Sequence, residues 1–151
     1  MRVSVIGGSS VPPETAAVAE RLGEQLATRG HEVVCGGLGG VMEAVCRGAA
    51  SAGGRTVGIL SSDDPNDANP YVDIPIATGL GHARHALVVM NGEAVVAIDG
   101  GTGNLSELGL AGVYDRPTAG LGTHDVEHVE AVETAADAVQ YVEEAVGVGD
   151  T

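Results

Sequence analysis

Apolar residues in this chain come in short unbroken runs, and between the runs they recur every three or four positions. Residues 3–6, 32–35, 56–60 and 94–98 are runs of the first kind, with the length and β-branched content of strands buried on both faces. After the first run, Gly7-Gly8-Ser9-Ser10 makes a loop and Pro12-Pro13 opens a helix, where the missing N–H costs nothing. Val18, Leu22 and Leu26 then share one helical face, and Gly30 marks the stop. The second run leads through Gly36-Gly37-Leu38-Gly39-Gly40 into a helix with Val41, Val45, Ala49 and Ala52 at helical spacing, closed by Gly53-Gly54. An acidic loop carrying Pro and Asn spans 61–70, and a short strand is expected at 74–77. Residues 81–91 read as a helix that is apolar almost all round and hence largely buried. The run 94–98 ends at Asp99-Gly100-Gly101-Thr102-Gly103-Asn104-Leu105-Ser106-Glu107, a glycine-rich turn into a helix with a carboxylate in its first turn. Short strands at 118–121 and 129–132 follow, and Ala135, Val139, Val142 and Val146 line one face of a closing helix.

Alternating strands and helices predict an α/β fold: a Rossmann-like three-layer α/β/α domain over residues 1–151 with a mostly parallel sheet. A chain of this length buries about two thirds of its unfolded surface and needs no staples. With no Phe or Trp and 24 glycines, its core must be thin-layered and close-packed, helices lying directly on the sheet.

Parallel sheets bind ligands beyond the C-terminal ends of their strands. The glycine loops at 7–10, 36–40 and 100–103 all follow strands, so they should meet on one sheet edge. Such loops leave backbone N–H groups unshielded, and a helix beginning there adds its positive end, which together cradle an anion. The candidate binding residues are Gly8, Ser9, Ser10, Gly36, Gly37, Gly39, Gly100, Gly101, Thr102, Gly103 and Asn104. Asn104 and Glu107 also have the spacing of an N-cap and N3 capping box, which would serve the helix end alone. The dinucleotide fingerprint G-x-G-x-x-G is not matched, and a Walker loop is excluded because the chain has no Lys. The expected ligand is therefore a small phosphate-bearing molecule, a nucleoside monophosphate or a nucleotide-like cofactor.

Charge narrows the partners. Against 21 Asp and Glu stand 7 Arg, giving a formal net charge of −14. This argues against nucleic acid and for a protein living in molar salt, where the Debye length is about 3 Å and self-repulsion is screened. The first apolar run is too short for a signal sequence, and no run approaches the ~18 residues of a membrane span. A cytoplasmic, high-salt protein with no membrane partner is expected. Cys35 and Cys46 have no metal or framework spacing and read as reduced small hydrophobes. His82 and His85 stand three apart, but no further ligand follows at a familiar interval, so no metal is required. Asp63, Asp64 and Asp67 read as a solvated loop, and the acidic residues between 127 and 144 as a solvated helix face.

Taken together, Gly7-Gly8-Ser9-Ser10, Gly36 to Ala44, Asn69-Pro70-Tyr71, Ala77 to Arg84 and Gly100 to Glu107 resemble the LOG-like (lysine-decarboxylase-like) Rossmann superfamily. The likeness runs from about residue 1 to 121. It is closest to the short branch that includes molybdenum cofactor carrier proteins, the cytokinin riboside 5′-monophosphate phosphoribohydrolases being more distant. For the hydrolases the resemblance implies cleavage of a nucleoside 5′-monophosphate to free base and ribose 5-phosphate, with Arg84 and Glu107 at the catalytic positions. A carboxylate at Glu107 would stabilise the positive charge that develops on the ribose, and Arg84 would hold phosphate or position substrate. This chain departs from the hydrolases in having Asp99 before the paired glycines in place of Pro, Asn104 in place of Thr, and His85 in place of Lys. The departures favour a binding protein of carrier or sensor type for a nucleotide or molybdopterin-type ligand, with the hydrolase as the alternative. The resemblance also implies a homodimer or homotetramer.

Overall fold

The computed structural model describes residues 1–147, so residues 148–151 of the expected domain lie outside the described part. Strands and helices alternate: β1 (Arg2–Gly7), α1 (Pro13–Thr28), β2 (Glu32–Cys35), α2 (Val41–Ser51), β3 (Thr56–Leu60), β4 (Ile74–Ala77), α3 (Arg84–Met90), β5 (Ala94–Ile98), α4 (Thr102–Val113), β6 (Thr118–Leu121), β7 (Val129–Ala131) and α5 (Ala135–Val146). The strands form one seven-stranded sheet in the order β4-β3-β2-β1-β5-β6-β7. Every pairing is parallel, so the fold is the expected Rossmann-like α/β architecture.

Strand order reverses direction between β1 and β5, the topological switch point where the loops leaving adjacent strands part and open a crevice. The register pairs Val3 with Ala94 and Gly7 with Ile98, so β1 and β5 end side by side and their glycine loops start as neighbours. On one face lie α1, α2 and α5 over Val3, Val5, Val33, Val96 and Ala119. On the other, α3 and α4 cover Ile6, Val34, Val57, Ile59, Val95 and Ala97. Each fully buried Val, Leu or Ile contributes about 1.5–3 kcal/mol, so many medium-sized side chains replace a few large rings.

The α1 helix begins at Pro13 with Glu14 in its first turn, buries Ala19, Leu22, Gly23 and Leu26, and stops before Gly30, whose φ of +83° only glycine adopts easily. It crosses α2 unusually closely. A Cβ at Gly23 would collide with the Val45 carbonyl, and one at Gly48 with the Glu20 carbonyl. The two glycines are thus a packing surface for a backbone-to-backbone helix contact.

One local expectation is corrected. Residues 81–91 are a 3₁₀ turn (Gly81–Ala83) followed by the seven-residue α3, and in that helix only Arg84, Val88 and Val89 are buried, while Met90 is 43 % exposed. The helix covers only part of its face of the sheet, which leaves its other side open. The short strand expected at 74–77 forms, at the sheet edge with every residue exposed. No helix among the described residues is long and apolar enough to cross a membrane.

Candidate functional site

The loops at the C-terminal ends of β1, β2 and β5 converge, as expected, on one cleft of about 590 Å³ at the switch point. The loop after β1 and the start of α2 are bonded to each other, Val41 N–H donating to the Gly8 carbonyl at 2.9 Å. Gly40 has a φ of +61°, and a Cβ there would strike the carbonyls of Gly8 and Ser9. Close approach of these two glycine loops therefore depends on Gly40.

The loop after β2 is held from below and from the side. Cys35 Sγ accepts from Gly37 N–H at 3.3 Å and lies 3.5 Å from Cys46 Sγ, both thiols being buried. Hydrogen bonding from Cys46 and Gly37, with the nearby Arg84, pulls the Cys35 thiol down; the Cys46 thiol is pushed up. Asn69 donates from its side chain to the Leu38 carbonyl at 2.9 Å and from its N–H to the Gly37 carbonyl at 2.8 Å. Arg84, 9 % exposed, stands at the first position of α3, and its Nη1 donates to the carbonyls of Gly36 and Ile59. A Cβ at Gly36 would collide with that guanidinium. Burial lowers the pKa of Arg84 and the Glu107 charge raises it, yet arginine keeps its proton in proteins.

At α4 the structure replaces the expected capping box with a different arrangement. The helix starts at Thr102 with Gly101 as N-cap, so Asn104 is the N3 residue and Glu107 lies in the second turn. Asn104 Oδ1 accepts from Gly101 N–H at 3.2 Å, while its Nδ2 donates to Glu107 Oε1 at 3.1 Å. One amide thus closes the helix end and orients the carboxyl. The reason is a shift of the helix start towards the glycines, which puts Asn104 where Glu107 was expected. Glu107 is 6 % exposed, and burial raises its pKa from 4.5 to about 7, with Arg84 and Asn104 pulling the other way. His85 Nδ1 lies 3.5 Å from Glu107 Oε1, and the His82 ring stands 5.7 Å from that of His85.

Of the predicted residues, Gly8, Ser9, Ser10, Gly36, Gly101, Gly103, Asn104, Arg84 and Glu107 line the cleft. Gly37, Gly39, Gly100 and Thr102 do not. Gly37 packs on Gly58 and Leu60, Gly39 faces the Ser9 carbonyl, Gly100 wraps around the Asn104 side chain, and Thr102 is exposed. Leu38, Met42, Ser61, His82 and His85 line the cleft without having been expected there. Of these, the histidines had carried a signal in their three-residue spacing, and Leu38 and Met42 in lying within the Gly36 to Ala44 stretch. Asp99 is exposed with a φ of +54° and does not line the cleft. Asp64 caps a 3₁₀ turn (Pro65–Asp67) by accepting from Asn66 N–H at 2.9 Å. Among the described residues no three His, Cys, Asp or Glu are placed to hold a metal ion together.

Comparison with known proteins places the chain in a family. The SLOG cluster4 family model matches residues 1–147. The chain belongs to the SLOG cluster4 family. A protein of Archaeoglobus fulgidus is 40 % identical over 142 residues, covering 93 % of each chain. A probable cytokinin riboside 5′-monophosphate phosphoribohydrolase of Oryza sativa is 37 % identical over 117 residues, 71 % of this chain and 46 % of the rice protein. The chain thus spans about half of that relative. Among solved structures, the molybdenum cofactor binding protein of Rippkaea orientalis superposes with a TM-score of 0.90 at 30 % identity, covering 96 % of both chains. The molybdenum cofactor carrier protein of Chlamydomonas reinhardtii superposes with a TM-score of 0.88 at 31 % identity, covering 97 % of this chain and 98 % of that one.

Proposed function

We propose that this SLOG cluster4 protein binds a small phosphate-bearing ligand of nucleotide or molybdopterin type in the β1/β5 cleft, and acts as its carrier or sensor. The observation that carries this reading is the convergence of the Gly8–Ser10 loop, Gly36 and the first turn of α4 on one cleft of about 590 Å³, a volume suited to one such ligand. N–H groups of the Gly8 to Ser10 loop and of Gly103 are the natural phosphate donors, since the first N–H groups of a helix have no partner within it. Arg84 adds positive charge from behind. With Nη1 given to two carbonyls, it works first as the strut that fixes the glycine loop. The likeness to the molybdenum cofactor binding protein of Rippkaea orientalis and the carrier protein of Chlamydomonas reinhardtii over nearly the whole of each chain favours a molybdopterin-type cargo.

A hydrolase is the second reading, favoured by Glu107. Its carboxyl, with a pKa of about 7 beside the cleft, is poised for proton transfer near neutral pH. Cleavage of an N-glycosidic bond would use the ionised form to stabilise charge on the ribose and to orient water.

One panel separates the two. Wild type and Glu107→Gln are compared in molar KCl for binding of AMP, GMP and molybdopterin-type cofactor, and for release of free base from the nucleotides. Saturable binding without base release is expected. Base release that disappears in Glu107→Gln would replace the carrier with a phosphoribohydrolase.

A further inference from the structure

His85 is the second residue of α3, and its ring lies across the first turn of α4. A Cβ added at Gly103 would come within 3.3 Å of His85 Cε1, so the absence of a side chain at 103 makes room for the imidazole. From there Nδ1 reaches to 3.5 Å from Glu107 Oε1, and His82 stands on the other side with its ring centre 5.7 Å away. Behind them Arg84 is 9 % exposed and lines the cleft with Nη1 committed to the Gly36 and Ile59 carbonyls. Among the described residues those are its hydrogen bonds to protein, and none of its nitrogens is buried without a partner, so Nε and Nη2 keep contact with solvent at the cleft that Arg84 lines. An anion that pairs with them and with the α4 first turn settles beside His85.

The charges around the imidazole set its response. Burial first, then Arg84 on α3 and His82 in the preceding 3₁₀ turn, hold it below the usual histidine range, and a backbone contact with Gly103 opposes them. Glu107 faces it from α4. Ahead of α4, His124 Nε2 lies 3.0 Å from the Gly101 carbonyl oxygen, and the exposed Asp99 precedes that loop. An anion at the α4 first turn offsets the repulsion from Arg84 and His82, and it disfavours ionisation of Glu107. The first effect favours an imidazolium; the second keeps a proton on Glu107 and withdraws the carboxylate that would support one, so proton uptake with the anion is shared between the two groups.

We propose that His85 makes anion binding in this cleft proton-linked: the imidazole takes a proton from solvent as the anion settles against the first turn of α4. This rests on the reading that the cleft takes a phosphate-bearing ligand, and it makes that ligand bind more tightly in acid. The sign follows from linkage. The anion raises the pKa of His85, so affinity is greatest below the free-state pKa. It then falls by about tenfold per pH unit up to the bound-state pKa, and levels off above it. A cell that acidifies loads such a protein and one that turns alkaline unloads it.

Sulfate is the probe, because it mimics a phosphate dianion and does not titrate near neutrality. Its affinity for the full chain is measured between about pH 5.5 and 8 at fixed KCl, for wild type, His85→Gln, His82→Gln and Glu107→Gln, alongside histidine ring titrations by NMR. In wild type, His82→Gln and Glu107→Gln the affinity is expected to fall as pH rises; in His85→Gln the fall is shallower, keeping only the part that Glu107 contributes. One ring resonance, lost in His85→Gln, titrates at higher pH with sulfate present. A flat wild-type profile, no sulfate binding at the acid end, or a slope kept by His85→Gln and lost in Glu107→Gln overturns the proposal. Sulfate binding with the expected slope but no uptake of nucleotide or pterin would instead overturn the carrier reading alone.

Discussion

Glu107 shows how a single position acquires its chemistry. Its carboxyl sits behind a cleft where burial outweighs both the Arg84 charge and the Asn104 donor, so its pKa rises from 4.5 to about 7. Because an acid with a raised native pKa binds its proton more tightly in the folded state, stability declines as pH climbs from about 4.5 to 7 and the carboxyl ionises. Glu107→Gln, which keeps an acceptor for Asn104, is therefore expected to be near neutral at pH 5. At pH 8 it should stabilise by about 1–2 kcal/mol, some way below the full shift because the cleft admits water. Thermal melts at the two pH values check this, and equal effects at both would mean that the carboxyl is ionised throughout. Arg84 gives the complementary case. A Lys side chain ends one bond short of Nη1, the nitrogen that makes both carbonyl bonds, so Arg84→Lys should cost about 1–2 kcal/mol in urea unfolding as well as ligand affinity.

At the scale of elements, the α1–α2 contact is the feature most sensitive to small changes. Either Gly23→Ala or Gly48→Ala drives a methyl group into the facing helix backbone, and neither helix can move without leaving the sheet. Each should cost about 2 kcal/mol or more, measured by chemical denaturation. The closing helix α5 is pinned differently. His31 is buried between the Met1 amino group, 3.0 Å from Nδ1, and Glu143 Oε2, 2.7 Å from Nε2, while Arg29 pairs with Glu143 at 2.7 Å. The hydrogen bond from Arg29 is the main cause of a lowered Glu143 pKa. A depressed acid contributes stability above its unfolded pKa and loses it as pH falls through the folded one, so Glu143→Gln should weaken the fold at pH 7 and flatten its acid limb. Hydrogen exchange in α5 at pH 7 and pH 4 reads that difference.

For the molecule as a whole, charge and shape pull in different directions. A net charge of −14 without Lys makes the folded state self-repelling at low ionic strength. Raising KCl from about 0.1 M to molar levels should raise the melting temperature by several degrees, and an unchanged value would mean that the charges are already compensated. Apolar surface remains at the β4 edge, where Ile74 is 41 % and Ile76 45 % exposed on the side shared with Val57 and Ile59. A second copy of the chain would cover it, and sedimentation in high salt is expected to give the mass of a dimer or tetramer.

Sequence alone determined the order of elements, the parallel sheet and the edge on which the glycine loops meet. Those follow from local periodicity and from the handed geometry of strand–helix–strand units, which leave few alternatives. Arg84 and Glu107 were legible as candidates because a motif names positions. Tertiary structure alone decided what each one touches. The helix start at Thr102 moved Asn104 from the N-cap to N3 and freed Glu107 from the capping pair; the depth of the cleft set the Glu107 proton; and packing of α3 against α4 brought His85 to Glu107. Such outcomes depend on distances of a few ångströms between segments far apart in the chain, which no local pattern encodes.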